Sequence, residues 1–306
     1  MPQRILQPGE IEQFAGGEIP FLRLPDRSSL FPDRARRLRQ LAAGHAMGDY
    51  LEFVAKLADT QHWALENLSA VPIPMPGNIE LSREHGMPPL NVQNHPRDRI
   101  WCDALRRMSL RLSEQTESKV REIAARLAGE RDELYEAQAS KLLAGITLGL
   151  DLGYAPLIGA GLQVYWMHMA NALGQDAYGR TEAPNVCPCC GSRPVASVVR
   201  ISAQAGGNRY LHCSVCSAEW HMVRIMCTSC ESTKTIEYHG IEGGSKAVQA
   251  ESCEECGTYL KIFYMERDPQ VEPTADDLAS TALDLLMDDT GKLRSGQNLM
   301  LIQGEA

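Results

Sequence analysis

The region that governs the architecture lies between 187 and 256, with CPCC at 187–190, CSVC at 213–216, CTSC at 227–230 and CEEC at 253–256. It contains four C-x-x-C pairs: Cys187/Cys190, Cys213/Cys216, Cys227/Cys230 and Cys253/Cys256. Cys227 stands 40 positions after Cys187, and the same step carries 190 to 230, 213 to 253 and 216 to 256. Within each unit 22 residues separate the two pairs, so the region is two copies of one module, C-x2-C-x22-C-x2-C. The flanks agree, because Trp220, Met222 and Val223 match Leu260, Ile262 and Phe263.

Coordination chemistry explains the spacing. Two thiolates three positions apart on a tight turn bind one ion, and the amides of that turn point at the sulfurs. A hairpin that brings two such turns together completes a tetrahedron. A module of this size is too small to fold on apolar burial alone, so the ion supplies much of its folding free energy. Disulfides are the competing reading, disfavoured if the chain resides where thiols stay reduced. Thioredoxin-like redox pairs need a strand before and a helix after the motif, which Gly191, Pro194 and the β-like flanks deny. Four thiolates suit zinc or a single rubredoxin-like iron, and spacing does not choose between them. Gly191 and Gly257 ease two of the four turns, whereas Ser217 and Glu231 stand at the equivalent places. Cys189 is the variable residue inside the first knuckle, because the repeat register uses Cys187 and Cys190. Cys102, beside Trp101 on a helical pattern, reads as a buried apolar residue.

Around this region the chain divides by composition. The 306 residues suffice for roughly two domains. Hydrophobic residues at 44% and charged residues at 23% are a globular balance that excludes a wholly disordered chain. Residues 1–30 are weakly periodic, and Pro8, Gly9, Glu10 and Glu12 break any secretory leader. Residues 33–68 read as two helices, with Tyr50, Val54, Leu57, Leu65 and Leu68 on one face. The prolines of VPIPMPG (71–77) exclude a helix there, and a loop is expected to continue to about His95. Further helices are marked by Trp101, Leu105, Met108 and Leu112, then by Val120, Ile123 and Leu127 with a break near Gly129. Helices over 131–149 and 156–174 complete an α-helical domain. Residues 152–175 carry no formal charge, but Gly153, Pro156, Gly159 and Gly161 disturb a spanning helix. Gln163, His168 and Asn171 would need partners in lipid, so a buried core helix is expected.

Beyond 181 the runs PVASVVRIS, RYLHC, EWHMVRIM, TKTIEYHGI and YLKIFYM are β-like, with turns at Gly206–Gly207 and Gly243–Gly244. After Pro273, TADDLASTALDLLMDD is helical, with Thr274 as N-cap and Asp276 and Asp277 complementing the dipole. Residues 291–306 read as a poorly fixed tail.

Other candidates are weaker. His212, His221 and His239 flank the knuckles, but with four thiolates available they read as surface strand positions. Asp151 and His168 read as a helix-end carboxylate and a satisfied core imidazole. No Ser–His–Asp template, Walker loop or dinucleotide fingerprint stands out, so no catalytic residue is assigned. Nucleic acid is an unfavoured partner. The formal charge is −9, and residues 181–272 carry eight Lys/Arg against eleven Asp/Glu, before each divalent four-thiolate site adds further negative charge. The basic run Arg34, Arg36, Arg37 and Arg39 reads as a solvated helix face.

With these residues in view, the chain resembles the FdhE family, the formate dehydrogenase accessory proteins. The resemblance rests on CPCCGSRPVASVV, RYLHCSVCSAEWHMVRIMCTSC and AESCEECGTYLKIFYMERDPQVEPTADDLAS. It implies a cytoplasmic protein that is not an enzyme and is needed for active respiratory formate dehydrogenase. It would contact the immature catalytic subunit before export, without inserting into a membrane; a homo-oligomer is left open. The resemblance also implies rubredoxin-like sites at the eight cysteines, which favours iron, with zinc as the alternative. The expected fold is α+β: an all-α domain (1–180), two tandem rubredoxin-like or zinc-ribbon metal modules (181–225 and 226–270), and a C-terminal helix with its tail (271–306).

Overall fold

The structure is a computed structural model that describes residues 19–201 and 207–302. The leader reading at residues 8–12, Gly206 of the first expected turn and the last four residues of the tail lie outside the described residues.

A short strand, β1 (Leu22–Arg23), precedes seven helices: α1 (Leu30–Ala42), α2 (Gly48–Glu66), α3 (Pro76–Glu84), α4 (Ile100–Gln115), α5 (Ser118–Ala128), α6 (Asp132–Ala144) and α7 (Ala155–Leu173). All of these except α3 fall where helices are expected, but α6 ends at Ala144 instead of 149, because Gly145 takes a left-handed conformation (φ 70°) that closes the helix. The loop expected from 71 to His95 is interrupted, because α3 starts at Pro76. A proline in the first helical turn has no intrahelical N–H to lose, and its fixed φ already suits a helix, so it opens a helix here instead of excluding one.

The uncharged run forms the buried core helix α7, packed against α2, α4 and α6. Among the described residues no helix is long and apolar enough to cross a membrane. The glycines of α7 do not break it. A Cβ at Gly159 would stand 2.9 Å from the Leu299 side chain, and one at Gly161 would stand 3.2 Å from Leu105. There Leu299 of the C-terminal segment and Leu105 of α4 pack directly against the α7 backbone.

The second half is one mixed sheet. Its strands are β2 (Pro194–Arg200), β3 (Asn208–Cys213), β4 (Glu219–His221), β5 (Ile236–His239), β6 (Val248–Cys253), β7 (Thr258–Tyr264) and β8 (Leu293–Arg294). Their order is β1-β4-β3-β2-β7-β6-β5, with β8 also on β7. The 40-residue repeat is visible in the strands, since 208–213 of β3 maps onto 248–253 of β6. Each module is an antiparallel meander, and the two join where β2 runs parallel to β7, Val198 opposite Phe263.

β6 (VQAESC) lacks an alternating apolar pattern and has no counterpart among the expected strands. Conversely, EWHMVRIM is strand only at 219–221. Its remainder is a turn clasped by buried Arg209, whose Nη1 donates to the carbonyls of Val223, Arg224 and Met226. The Arg209 Nη2 pairs with Glu251 of the second module at 2.7 Å, so one guanidinium ties both modules to their linker.

The C-terminal helix is two short helices, α8 (Pro273–Ala279) and α9 (Thr281–Asp288). Its N-cap is Glu272, whose Oε2 accepts from Ala275 N at 2.7 Å, while Pro273 takes the first helical turn and Thr274 lies inside. Asp276 and Asp277 are buried in ion pairs, Asp276 with Arg37 and Asp277 with Lys261 and Arg294. The described part of the tail is well fixed. Leu293 N donates to Gly257 O at 2.8 Å, and Leu299, Met300 and Ile302 are buried. The apolar run Leu299–Ile302 draws the segment onto α7, and at Gly296 a Cβ would meet the Pro194 carbonyl at 1.8 Å. Only glycine fits there.

Candidate metal centres

The knuckles are built by the backbone. In the first, Cys187 N donates to Ser192 O (2.9 Å) and Gly191 N to Cys187 O (2.8 Å). In the third, Cys227 N donates to Ser232 O (2.8 Å) and Glu231 N to Cys227 O (3.2 Å). The fold of each turn requires a left-handed residue directly after its second cysteine. Gly191 (φ 73°), Ser217 (φ 58°), Glu231 (φ 61°) and Gly257 (φ 66°) all adopt that conformation. The two positions without glycine therefore follow the same geometry under strain.

Hairpins then bring the knuckles together in pairs. The sulfurs of Cys187, Cys190, Cys213 and Cys216 lie within 4.8 Å of one another, as do those of Cys227, Cys230, Cys253 and Cys256. The close pairs are Cys187–Cys216 (3.5 Å), Cys190–Cys213 (3.4 Å), Cys227–Cys256 (3.5 Å) and Cys230–Cys253 (3.7 Å). A tetrahedral ion with metal–sulfur bonds of about 2.3 Å needs sulfurs about 3.8 Å apart, which these pairs approach. None of the ten cysteines is in a disulfide. All eight ligand positions are thus brought together, in the pairing that the repeat implies.

Donors converge on the sulfurs. Val215 N and Cys216 N point at Cys213 Sγ (3.4 Å each), Ser229 N at Cys227 Sγ (3.3 Å), and the Thr258 hydroxyl lies 3.1 Å from Cys256 Sγ. Burial opposes ionisation of Cys256, yet the Thr258 hydroxyl and amide and the neighbouring thiols bring it down to about 7. Burial likewise opposes ionisation of Cys187, but hydrogen bonds from Cys189, Cys190, Cys213 and Cys216 hold it well below the ordinary thiol range. Four converging sulfurs with donors aimed at them are a seat for a soft cation.

The two cages differ in setting. The first belongs to the main apolar core, with Tyr178, Trp220 and the helices. Its knuckle is bonded to the helical domain: Leu90 N donates to Cys189 O and Val92 N to Cys190 O, both at 3.0 Å, and Gln163 of α7 reaches Ser214 O at 2.9 Å. Cys189 is buried outside the four-sulfur group, and burial pushes its thiol well up. In the second cage Cys230 is exposed and Cys256 half-buried. A groove of about 730 Å³ runs between the cages and the helical domain, lined by Ser192, Val215, Ser229, Thr258, Gly145 and Leu299.

The remaining candidates fall elsewhere. His212 is not a surface position but is 2% exposed. Its Nδ1 lies 3.1 Å from Glu219 Oε1, and Arg200 grips the same carboxylate at 2.5 and 2.6 Å. Burial opposes charge on Glu219, but His212 and Arg200 hold its pKa at about 2. The strand-pairing need of β3 buries His212, and nothing in the cysteine pattern signals it. His221 is half-buried edge-on to Tyr210, and His239 bonds the Ser252 hydroxyl at 2.7 Å. Among the described residues, neither four-sulfur group includes a histidine. Asp151 accepts from Gly153 N and Tyr154 N ahead of α7, while His168, far along that helix, accepts from Arg27. The two do not meet. Cys102 is buried, which pushes its thiol up to about 12. Part of the basic run is not solvated either: Arg34 is fully buried against Glu272 and Gln163.

Fold and site together define a class: a helical domain fused to tandem four-thiolate ribbons that share one sheet. Known proteins agree. Family models match 19–182 (FdhE, N-terminal), 186–224 (FdhE, central domain) and 225–301 (FdhE, C-terminal domain). Protein FdhE of Salmonella dublin is 39% identical over 300 residues, covering 97% of this chain and 96% of the relative. A Cronobacter sakazakii FdhE homolog is 40% identical over 290 residues, covering 94% and 93%. The crystal structure of the FdhE protein from Pseudomonas aeruginosa superposes with a TM-score of 0.84 at 38% identity, covering 94% of this chain and 100% of that one. The chain belongs to the FdhE family, the formate dehydrogenase accessory proteins.

Proposed function

We propose that this chain is a maturation factor that binds the immature catalytic subunit of a respiratory formate dehydrogenase in the cytoplasm before export. It acts by recognition, without a reaction of its own. The eight cysteines hold two ions, iron in preference to zinc, and the domains divide at 180, 225 and 270. One observation carries the reading: the first cage is hydrogen-bonded directly to the helical domain, through Cys189 O, Cys190 O and Ser214 O. Loading that cage therefore sets the relative placement of two surfaces that a folding partner would touch. The test is a pull-down from formate-grown cells with the intact chain and with Cys190→Ser. The intact chain retains the catalytic subunit and the variant loses it. Equal retention by both would refute a metal-organised recognition surface.

A second reading, an iron-dependent redox protein that activates the dehydrogenase, is favoured by the exposed Cys230, which places one four-thiolate site at the surface. Reversible bleaching of a ferric–thiolate band by reductant supports it, and a fully active zinc-loaded protein removes it.

A further inference from the structure

The two cages share a template but not an environment. Cys187 and Cys190 are each 0% exposed, as is Cys216, and Cys213 is 1% exposed. These sulfurs sit in the main core beneath Tyr178 and Trp220, whose indole donates to Pro184 O at 2.8 Å. None of the second cage's cysteines belongs to an apolar cluster. Cys230 is exposed, Cys256 is half-buried, and the hairpin strand β5 that follows Cys230 buries none of its four residues. Its knuckle is tied instead to the segment that leads into the first module, Asn185 Nδ2 donating to Ser229 O at 3.2 Å.

Exchange at a four-thiolate ion needs two things. An incoming donor must reach the ion, and one thiolate must depart with a proton. Both need access to solvent, and where the structure gives none, exchange waits for local unfolding. From this asymmetry we infer that the two sites divide their roles. The 187/190/213/216 site is a permanent joint, and the 227/230/253/256 site is an exchangeable one that hands its ion to soft donors, with Cys230 as the departing ligand. This rests on the eight cysteines holding metal, and not on the identity of the partner.

The step balances without any oxidant. A small thiol gives its proton to Cys230 Sγ as that sulfur leaves, and the thiol's own sulfur takes the vacated place. Charge and metal oxidation state are unchanged. A second thiol at Cys256, the next most accessible ligand, continues the transfer. Arg209 and the β2–β7 pairing keep the second module attached to the first through this release.

The experiment uses the full chain loaded with two equivalents of zinc, kept anaerobic in native buffer. A chromogenic pyridylazo chelator reads release, and iodoacetamide labelling with peptide mass spectrometry reads which sulfurs become free. Release is expected in two phases of one equivalent each, the first at least about tenfold faster, reflecting access without unfolding. At the end of the fast phase, label is expected on the accessible Cys230 and Cys256 and on none of Cys187, Cys190, Cys213 and Cys216, with the far-ultraviolet dichroism retained. Cys230→Ser is expected to accelerate the fast phase and leave the slow one unchanged, and a variant that releases both ions at the parent's rates overturns the role given to Cys230. Release of both ions in one phase overturns the inference, and so does early labelling at Cys187 or Cys213. A chain that cannot be loaded with two equivalents instead removes the metal assignment itself.

Discussion

At position 231 a glutamate occupies left-handed backbone because the knuckle demands it, not because the residue prefers it. Glu231→Gly removes the Cβ clash of that conformation and is expected to stabilise the loaded protein by up to about 1 kcal/mol in urea unfolding. At Gly191 the same geometry already has its preferred residue, and an added Cβ would crowd Asn91 Nδ2 at 3.1 Å. Gly191→Ala should therefore cost about 1–2 kcal/mol. A Glu231→Gly variant that is less stable would show that the left-handed turn is not the resting state. Buried Glu219 sets a pH dependence. Its pKa falls from 4.5 to about 2 on folding, so its contribution is present above 4.5 and is lost as pH drops from there towards 2. Glu219→Gln is expected to cost about 3 kcal/mol at neutral pH, and the gap to the parent should narrow below pH 4.5. A gap independent of pH would mean that the carboxylate is not charged in the fold.

Among the elements, the amphipathic helices and the duplicated thiolate template were legible before any coordinates. The uncharged run locates α7, which is buried all round. Apolar periodicity locates α1, α2, α4 and α5 because each buries one stripe. It misses α3, which buries no residue. It also misses β6, whose pairing between β5 and β7 is imposed by the hairpin and not by its own side chains. The ion cluster under α8 and α9 was equally invisible, since its partners come from distant segments. Lys261 of β7, fully buried, lies 2.6 Å from Asp284 and 3.4 Å from Asp277. Lys261→Met would leave two buried carboxylates to share the single cation Arg294, and a loss of about 3 kcal/mol is expected by calorimetry or urea titration. A loss below 1 kcal/mol would show that Arg294 alone balances them. The C-terminal segment, read from composition as loose, is held by Leu299 against Gly159. Leu299→Ala should cost about 2–5 kcal/mol and loosen α7 in hydrogen exchange.

Across the whole molecule, the cysteine repeat specified two equivalent modules, and the structure makes them unequal. One sheet joins them, yet only the first cage enters the common core with the helices. That difference was not readable from spacing, because it depends on which face of each ribbon the helical domain covers. It sets the first four-sulfur group within the common core and leaves the second near solvent. The two four-cysteine groups were legible in the sequence, whereas their surroundings (Arg209, Thr258, Gln163) were not, since no local pattern marks a side chain that reaches across the fold.

The most direct test is metal analysis with sulfur-sensitive X-ray absorption on anaerobically purified protein never exposed to chelator. Two ions per chain, each with four sulfurs at about 2.3 Å, are expected. Chains carrying no stoichiometric ion, with all eight thiols free to react while the sheet remains folded, would contradict the account.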